Sequence, residues 1–455
     1  MKQYYHSVRL VKDLCKGCTN CIKRCPTEAI RVRDGKARII EELCVDCGEC
    51  IRICPNRAKI AVEDGLDKLK EYKFNIALPA PSFYGQFDAR YSLEDILSAL
   101  LLLGFDDVFE VALAAEGVTL ATQKYLNAGA GGVRPVISQA CPAVMGLIQV
   151  RFPLLLQNIA PIESPMNMAA KIAKTRASKR TGLNMDDIGA FFITPCPGKI
   201  TSVRQPPGDN EIFVDGALSI ASVYGMVLAA LNKIKAGQGP KHKPVQCASG
   251  AGIGWGRSGG EVKALNMGTM LAVDGIHNVI SVLEQVEKGE MDDIDYLECL
   301  ACTGGCIGGS LTVKNPFLAR VKLNQMSQKG SGPVREDFIK EIGPLVEQGY
   351  FGLRGKIQPR KVEPLDCDLA TAIVKADQLE KVLEQLPGLD CSSCGCPNCR
   401  ALAEDIVRGL ALETDCIFKL RKRVEILAEE VLELAKKVPP AMGHRHYHKS
   451  TQEEE

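Results

Sequence analysis

The sequence predicts a central α/β domain flanked by two small cysteine-rich segments, and three observations predict it. At 455 residues the chain is long enough for several domains and at least one sizeable core. Its 20 cysteines fall mostly in three groups, and in a chain of this size they favour metal sites over disulfides. Between the outer groups, strand-like runs alternate with helical patterns, which is typical of an α/β domain. The expected segments are residues 1–66, 70–365 and 366–420, followed by a helix and polar tail over 421–455.

Composition excludes several classes of partner. Basic and acidic residues nearly balance, 56 against 55, so the charge predicts no nucleic-acid partner. The start of the chain lacks the apolar stretch of a secretory signal, and the longest apolar runs are too short or too mixed to span a bilayer. We therefore expect a cytoplasmic protein without membrane contact, in a reducing and anaerobic cell.

The N-terminal segment carries one cysteine spacing twice. Each copy has three cysteines at every third position and a fourth before a proline: Cys15, Cys18, Cys21 and Cys25, then Cys44, Cys47, Cys50 and Cys54. Three thiolates so spaced wrap one face of a 4Fe–4S cluster, and the fourth ligates the other cluster. The spacing thus predicts that Cys54 completes the first cluster and Cys25 the second. Zinc sites, the alternative, need no crossed ligand. The segment resembles bacterial two-cluster ferredoxins, with short strands expected over 29–32 and 58–62.

Four central cysteines follow predicted strands. Their positions are Cys141 after the run 135–138, Cys196 after 191–194, and Cys302 and Cys306 after 295–300. Because ligands bind at the carboxyl ends of strands in α/β folds, these segment ends can bring four thiolates together. A buried iron–sulfur cluster needs that arrangement.

Three further local predictions concern this domain. A strand is expected over 74–78, and Ser164-Pro165 predicts a helix start, with serine at the cap and proline in the first turn. The glycine-rich run 250–260 lacks the GxGxxG register of a dinucleotide site.

The contexts of the central cysteines resemble the signature of the diiron (FeFe) hydrogenases. The motif Thr-Ser-Cys-Cys-Pro is matched by residues 138–142, with Ala140 in place of the first cysteine. The motif Met-Pro-Cys-x-x-Lys-x-x-Glu is matched by 194–202, with Ser202 in place of the glutamate. The motif Glu-x-Met-Ala-Cys-x-Gly-Gly-Cys-x-x-Gly-Gly is matched by 298–310. Smaller departures are Leu300 for the methionine and Ser310 for the last glycine.

The resemblance implies a 4Fe–4S cluster bridged through Cys306 to a diiron unit with carbonyl, cyanide and dithiolate ligands. Lys199 matches the lysine that anchors one cyanide, and Ser82 lies in a loop similar to the one that meets the other. Residues expected to border the cofactor are Pro195, Gly304, Gly305 and Gly308. The resemblance also implies that the glycine-rich segment 256–260 packs near the cofactor and leads into a helix over 261–270. Ala140 stands where turnover enzymes of the family carry a proton-transferring cysteine.

These departures predict slow turnover. A positioned acid–base group contributes typically about 10²–10⁴-fold, and Ala140 can neither donate nor accept a proton. Glu298 and Cys299 are candidates for a substitute path, although Cys299 also fits a buried inert thiol. Family members with similar replacements are regarded as sensory or regulatory. We therefore expect a slow, reversible hydrogenase that senses H2 and passes electrons along its clusters to ferredoxin or to a separate signalling protein.

Two alternatives stay open. One is a ferredoxin-linked production hydrogenase with a substitute proton path. The other is an electron-transfer or cluster-assembly protein that lacks the diiron unit. Lys199 and the glycines around Cys306 argue against the latter, because a 4Fe–4S cluster alone would need neither.

The C-terminal segment carries a third cysteine set. Its members are Cys391, Cys394, Cys399 and Cys416, with Cys396 as an extra thiol. The pattern resembles the small four-cysteine 4Fe–4S domain of several anaerobic redox proteins, which would bring the total to four 4Fe–4S clusters; zinc is the alternative. Cys247 and Cys367 are predicted to be buried thiols, and a polar tail with His444, His446 and His448 to be disordered.

After Cys416 the apolar residues recur with alternating spacings of three and four. They are Ile417, Leu420, Val424, Leu427, Val431 and Leu434. This spacing is that of a coiled-coil seam. A helix docked on the body would look similar, so the sequence leaves a homodimer and an intramolecular contact both open.

Overall fold

The computed structural model describes residues 4–209, 211–240, 248–329 and 336–437. It divides the chain into one unit over Met1–Val362 and a second over Glu363–Glu455. The predictions for Cys247 and for the three tail histidines lie outside the described residues.

Two antiparallel strand pairs hold the N-terminal cysteine loops. The elements are β1 (Val8–Leu10), α1 (Asn20–Lys23), β2 (Ile30–Arg33), β3 (Lys36–Ile39), α2 (Glu49–Arg52) and β4 (Lys59–Ala61). β1 pairs with β4, and β2 pairs with β3. A small core that includes Val8, Ile22 and Ile30 lies between them. The short strands expected after each cysteine loop are thereby confirmed.

Two parallel sheets form the centre of the first unit. Their strands are β5 (Phe74–Pro79), β6 (Asp107–Val108), β7 (Val136–Ile137), β8 (Ile188–Thr194), β9 (Gly216–Ser219), β10 (Met270–Asp274) and β11 (Tyr296–Leu300). One sheet has the order β6-β5-β8-β9 and the other β10-β11-β7, and every pairing is parallel. All seven residues of β8 are buried, as expected of a strand covered on both faces. The predicted strands over 74–78, 191–194 and 295–300 are confirmed.

Helices cover these sheets. They are α3 (Pro81–Tyr84), α4 (Leu93–Leu101), α5 (Val111–Asn127), α6 (Pro142–Arg151), α7 (Pro165–Thr181), α8 (Pro197–Arg204), α9 (Ile220–Lys235), α10 (Gly250–Gly254), α11 (Gly260–Leu265), α12 (Ile276–Glu287), α13 (Pro316–Lys329) and α14 (Glu336–Glu347). The Ser164 hydroxyl accepts a hydrogen bond from the Asn167 amide at 3.3 Å, which confirms the predicted helix start.

The helix expected over 261–270 is wrong in its length. α11 ends at Leu265, because Asn266 adopts a left-handed conformation with φ of 45° and Gly268 another with φ of 59°. The chain then enters β10 at Met270. Of the predicted helix 261–270, only its last residue, Met270, belongs to the second sheet.

The second unit contains the helices α15 (Leu369–Gln385), α16 (Cys399–Val407) and α17 (Ile417–Ala435). Its small core includes Leu379, Leu386, Leu402 and the buried thiols of Cys396 and Cys416. Cys367 is exposed, so the prediction of a buried thiol there is wrong. It lies ahead of α15, next to the residue that caps that helix and outside the core.

Candidate metal centre

Each of the four central cysteines lies just beyond a parallel strand. Cys141 and Cys196 occupy the cap positions of α6 and α8, and each is followed by a proline in the first helical turn. Cys302 follows β11, and Cys306 begins a short 3-10 turn that ends at Gly308. The ends of strands from both sheets therefore contribute thiols to one place, as the topology predicted.

The four thiols influence one another electrostatically. The pKa of Cys302 is raised well above its ordinary value by burial, and the charges of Cys196, Cys141 and Cys306 raise it further. Burial likewise raises the pKa of Cys196 to about 11 and that of Cys306 to about 12. None of them forms a disulfide. Such thiols become thiolates only beside a strong positive charge, so the donor set fits a metal cluster.

Lys199 brings a positive charge to this set. Its side chain is only 8% exposed, and its Nζ donates a 3.0 Å hydrogen bond to the main-chain oxygen of Ala140. Its charge lowers the pKa of the Cys196 and Cys306 thiols, against the larger effect of burial. An ammonium group has three donors. The remaining donors fit a ligand that accepts hydrogen bonds, as the resemblance implies.

Ser82 lies in a helix that contacts the turn of Cys306. α3 packs against that turn and against α10. The Ser82 hydroxyl is fully buried and finds no hydrogen-bond partner among the described residues. Because a buried hydroxyl without a partner costs free energy, this atom fits a bound group that accepts its proton.

The glycines around Cys306 are required by backbone contacts. Gly305 has φ of 88°, and a Cβ there would lie 2.6 Å from the Ser258 nitrogen. A Cβ on Gly308 would lie 2.1 Å from the Thr303 oxygen. Gly304 also has a positive φ, of 81°, and the Pro195 carbonyl accepts a hydrogen bond from the Leu311 amide at 2.9 Å. These contacts hold the Cys306 turn close to the loops before α8 and α11.

The N-terminal cysteines line two separate cavities. One cavity is bordered by Cys15, Cys18, Cys21 and Cys54, and the other by Cys25, Cys44, Cys47 and Cys50. Each cavity thus has three thiols from one cysteine run and the fourth from the other run. Backbone amides donate to sulfur at 3.2 Å for Ala29 on Cys25 and 3.3 Å for Ala58 on Cys54. Amide donors to sulfur are a common feature of iron–sulfur sites.

The second of these cavities adjoins the central cysteines. Arg52, in the helix that begins beside Cys50, donates from Nη2 to the Gly308 oxygen at 2.7 Å. Ser7 donates to the carbonyl oxygen of Pro197, the residue after Cys196, at 2.8 Å. The N-terminal segment therefore packs directly on the loops that carry the central thiols, which suits electron transfer between two clusters.

The C-terminal cysteines surround the start of α16. Cys391 is exposed, Cys394 and Cys399 are partly buried, and Cys416 is buried at the cap of α17. Cys396 is fully buried, and its Sγ donates to a carboxylate oxygen of Asp405 at 3.4 Å. That contact is one a protonated thiol makes, which agrees with the prediction that Cys396 is the extra thiol of the set.

Family models match three parts of the chain. The model described as "Iron only hydrogenase large subunit, C-terminal domain" matches residues 73–270 and 262–310, which together make up more than half of the sequence. The chain belongs to the iron-only hydrogenase family. A 4Fe-4S dicluster domain matches residues 7–55, and an Fe-S cluster family matches residues 386–418. The predicted family and fold class are confirmed, and iron–sulfur cofactors are supported at both ends of the chain.

Known hydrogenases are similar to the chain over part of their length. Iron hydrogenase 1 of Clostridium pasteurianum is 23% identical over 46% of this chain and 35% of its own. The NADP-reducing hydrogenase subunit HndD of Solidesulfovibrio fructosivorans is 22% identical over 66% of this chain and 56% of its own. A solved variant of the [FeFe]-hydrogenase HydA1 from Chlamydomonas reinhardtii covers 65% of this chain and 98% of its own, with TM-score 0.50 and 14% identity. That structural likeness supports the fold.

One relative carries a different name. The cytosolic Fe-S cluster assembly factor nar1 of Aspergillus terreus is 26% identical over 25% of this chain and 19% of its own. The chain thus spans between about a fifth and just over half of the length of these curated relatives.

In this member of the hydrogenase family, buried polar side chains lie close to Ala140. The Ser138 hydroxyl accepts a hydrogen bond from the Ala140 amide at 3.3 Å and donates one to a carboxylate oxygen of Glu261 at 2.7 Å. The Tyr296 hydroxyl donates to the other Glu261 oxygen at 2.7 Å. The Glu298 carboxylate accepts hydrogen bonds from the backbone amides of Gly259, just before α11, and Val262, in its first turn. Burial raises the pKa of Glu261 to about 7 and that of Glu298 to about 8.

Sequence reasoning named Glu298 but missed Glu261, Ser138 and Tyr296. Glu261 directly follows the double glycine that we interpreted as a packing element, and Tyr296 lies inside a strand. A glutamate placed directly after Gly259 and Gly260, at the start of the expected helix, was the available signal. Cys299 is fully buried and burial raises the pKa of its thiol strongly, as expected of an inert side chain.

Ser202, which replaces the family glutamate, hydrogen-bonds within its own helix. Its hydroxyl donates to the Gly198 oxygen at 3.1 Å. It borders the same cavity as Ala140 and Lys199. Among the residues that the structure describes, no helix is both long enough and apolar enough to cross a membrane.

Proposed function

We propose that this protein is an iron–sulfur diiron hydrogenase of low turnover that reports H2 through the redox state of its clusters. One observation carries the proposal. Lys199 donates to the carbonyl of Ala140, so the lysine lies beside the residue whose side chain, a buried methyl group, cannot carry a proton. The anchor for the cofactor is kept, while the family's proton carrier is lost.

Four clusters would be held by four sets of thiolates. The proposed sets are Cys15, Cys18, Cys21 and Cys54; Cys25, Cys44, Cys47 and Cys50; Cys141, Cys196, Cys302 and Cys306; and Cys391, Cys394, Cys399 and Cys416. The two N-terminal sets are supported by the two cavities that they border. The central set is supported by the charges of neighbouring thiols, which raise the pKa of Cys302 and of Cys306.

The diiron unit, when bound next to Cys306, would supply the site at which hydrogen is split or formed. Lys199 and Ser82 are the residues proposed to donate hydrogen bonds to its ligands. The unpartnered Ser82 hydroxyl and the buried Lys199 ammonium support this assignment, because both have donors to offer. Pro195 and the glycines Gly304, Gly305 and Gly308 would shape the wall through their backbone contacts.

Protons would move slowly through buried carboxyl groups. Ser138 reaches both the Ala140 amide and Glu261, and Glu261 also accepts from Tyr296. The pKa values of Glu261 and Glu298, about 7 and about 8, lie where both protonation states are populated near neutral pH. We propose this cluster as the substitute path. Because the side chain of Ala140 has no proton donor or acceptor, this path lacks a proton carrier at its first step. That gap fits an enzyme of low turnover.

The partners would be H2, protons and a redox protein. The N-terminal cluster segment suits exchange with ferredoxin or with a separate signalling protein, in a cytoplasmic setting. One relative is named as a subunit of an NADP-reducing hydrogenase. That relationship supports an exchange of electrons between this chain and a further protein component.

Infrared spectroscopy of the full chain, matured with the diiron cofactor and kept under nitrogen and then H2, tests this proposal. We expect carbonyl and cyanide bands that shift under H2, together with a low H2 oxidation rate in the same sample. Bands with fast turnover would instead support a production hydrogenase. The absence of bands after maturation, with the 4Fe–4S clusters present, would contradict the hydrogenase function.

The relationship to nar1 favours one second candidate, a cluster-assembly or electron-transfer protein that lacks the diiron unit. That match covers a quarter of the chain. The second candidate predicts full iron–sulfur content with no carbonyl or cyanide bands. The same infrared experiment therefore separates the two functions.

A further inference from the structure

The helix α17 exposes a long apolar face. Among its 19 residues none is buried. Six apolar side chains that recur at spacings of three and four are between 43% and 64% exposed: Ile417, Leu420, Val424, Leu427, Val431 and Leu434. We call these six residues the α17 seam. In proteins most helix stability comes from packing of an apolar face, so burial of such a seam would stabilise α17.

The residue types in the seam match one kind of partner. In heptad terms the a positions hold Ile417, Val424 and Val431, and the d positions hold Leu420, Leu427 and Leu434. In parallel coiled coils, β-branched residues at a with leucine at d favour two strands over three or four. No polar residue interrupts either position. A second copy of the same helix presents the identical pattern and therefore fills the seam in register.

The charges beside the seam permit this pairing. Arg423 is a g residue, and in a parallel pair it faces the e residue of the next heptad, Ala428, on the other copy. Glu430 faces Ala435 in the same way. No like charges are brought together at these positions. The N-terminal turn is fixed from outside the seam, since Lys419 donates to Gln385 at 3.2 Å.

We propose that α17 pairs with α17 of a second copy of this chain as a parallel two-stranded coiled coil. Cys416 is the N-cap residue of this helix, directly before Ile417. In a parallel pair both copies of Cys416 lie at the same end, and the axes of packed helices are about 8–10 Å apart. An antiparallel pair would separate them by roughly the length of the helix, about 28 Å at 1.5 Å per residue. If Cys416 ligates a cluster, as proposed above, the parallel dimer brings two such clusters side by side.

The test is the mass of the full, cluster-loaded chain by analytical ultracentrifugation. The wild-type protein is expected to sediment as two copies, and Leu427→Glu as one copy, because the variant puts a charge into the seam. Leu432→Glu is the matched control: Leu432 is 57% exposed on the same helix but lies outside the seam. It should remain dimeric. Iron content and visible absorbance, measured on all three proteins, show whether each variant has folded.

A monomeric wild-type protein at tens of micromolar would overturn the proposal, as would equal disruption by both variants. The orientation has its own test in Arg423→Glu and in Arg423→Glu combined with Glu430→Arg. In the parallel pair these side chains face alanines, so neither protein should change its dimer dissociation constant. If Arg423→Glu weakens the dimer and the added Glu430→Arg restores it, the helices pair antiparallel. That result would overturn the parallel arrangement. Neither measurement depends on hydrogenase activity, so the proposed function can fail while the dimer stands.

Discussion

Lys199 and Ala140 are joined by a hydrogen bond of 3.0 Å between the lysine Nζ and the alanine carbonyl oxygen. The bond links α8, which begins at one central cysteine, to the loop that leads into another. It leaves further lysine donors for a ligand and holds the alanine methyl group beside them. The retained lysine and the alanine that replaces a cysteine belong to separate sequence motifs. In the structure they form one contact.

Lys199→Met should weaken retention of the diiron unit without emptying the four-cysteine site. Methionine keeps the length and apolar stem of the lysine but removes the charged donor. A hydrogen bond from a charged group contributes about 1.5–3 kcal/mol, roughly 10- to 160-fold in the dissociation constant of the diiron unit. Infrared bands of the matured protein measure the occupancy, and iron analysis measures the 4Fe–4S clusters. The control is Lys263→Met, at an exposed lysine of α11. Full carbonyl and cyanide bands in the Lys199 variant would contradict this role.

Cys54→Ala and Cys25→Ala should each remove one N-terminal cluster. In each case the lost cluster should be the one whose other three ligands lie in the other cysteine run. Cys54 borders the cavity of Cys15, Cys18 and Cys21, and Cys25 borders the other cavity. Each variant should lose about four irons per chain, the content of one 4Fe–4S cluster. The single cluster lost from the Cys25 variant should be the one that adjoins the central thiols.

Electron paramagnetic resonance of the reduced proteins distinguishes the two losses. The Cys25 variant is expected to lose magnetic coupling between the N-terminal segment and the central cluster, and the Cys54 variant to keep it. The reverse result would show that each run ligates its own cluster.

The strand ends that carry the cysteines could be predicted from the sequence because they depend on local patterns. β8 is a continuous apolar run, and proline after Cys141 and Cys196 starts a helix at once. The crossed grouping of the N-terminal thiols around two cavities could be predicted as well, since the cysteine spacing indicates it. These features need only a few neighbouring residues.

The polar cluster around Glu261 could not be predicted, because it depends on contacts between distant segments. Ser138 and Glu261 are 123 positions apart, and Glu261 and Tyr296 are 35 apart. The early end of α11 has a local cause instead. Asn266 and Gly268 both adopt a positive φ directly after Leu265, which ends the helix before the chain enters β10.

Glu261→Gln should slow turnover about 10²-fold and remove a pH inflection near 7, if this glutamate carries protons. Burial raises its pKa to about 7, so its carboxylate forms above that pH. Oxidation of H2 releases protons that a carboxylate must accept, so the wild-type oxidation rate should rise with pH through about 7. Proton reduction needs the protonated acid and should fall over the same range. Both inflections are read from rate measurements between pH 5 and 9 in the loaded enzyme.

Glu116→Gln is the matched control for that experiment. Glu116 is also buried with a pKa raised to about 7, but it accepts from the Ser249 amide and does not contact the loop before Cys141. Its variant should keep the wild-type pH profile. An unchanged profile in the Glu261 variant would assign the inflection to another group.

Ala140→Cys should raise the turnover rate by about 10²-fold, the lower end of what a positioned acid–base group contributes. The alanine borders a cavity that also reaches Lys199 and Ser202, so a thiol can be added at this position next to the lysine. Ala140→Ser serves as the control, because a hydroxyl has similar size but is a far weaker acid. H2 evolution and oxidation rates are compared at equal infrared band intensity, so that differences in cofactor loading do not enter. A gain in the cysteine variant alone would identify the missing proton carrier as the cause of slow turnover. Equal rates in all three proteins would mean that the step limiting turnover lies elsewhere, in the buried carboxyl groups or in electron transfer.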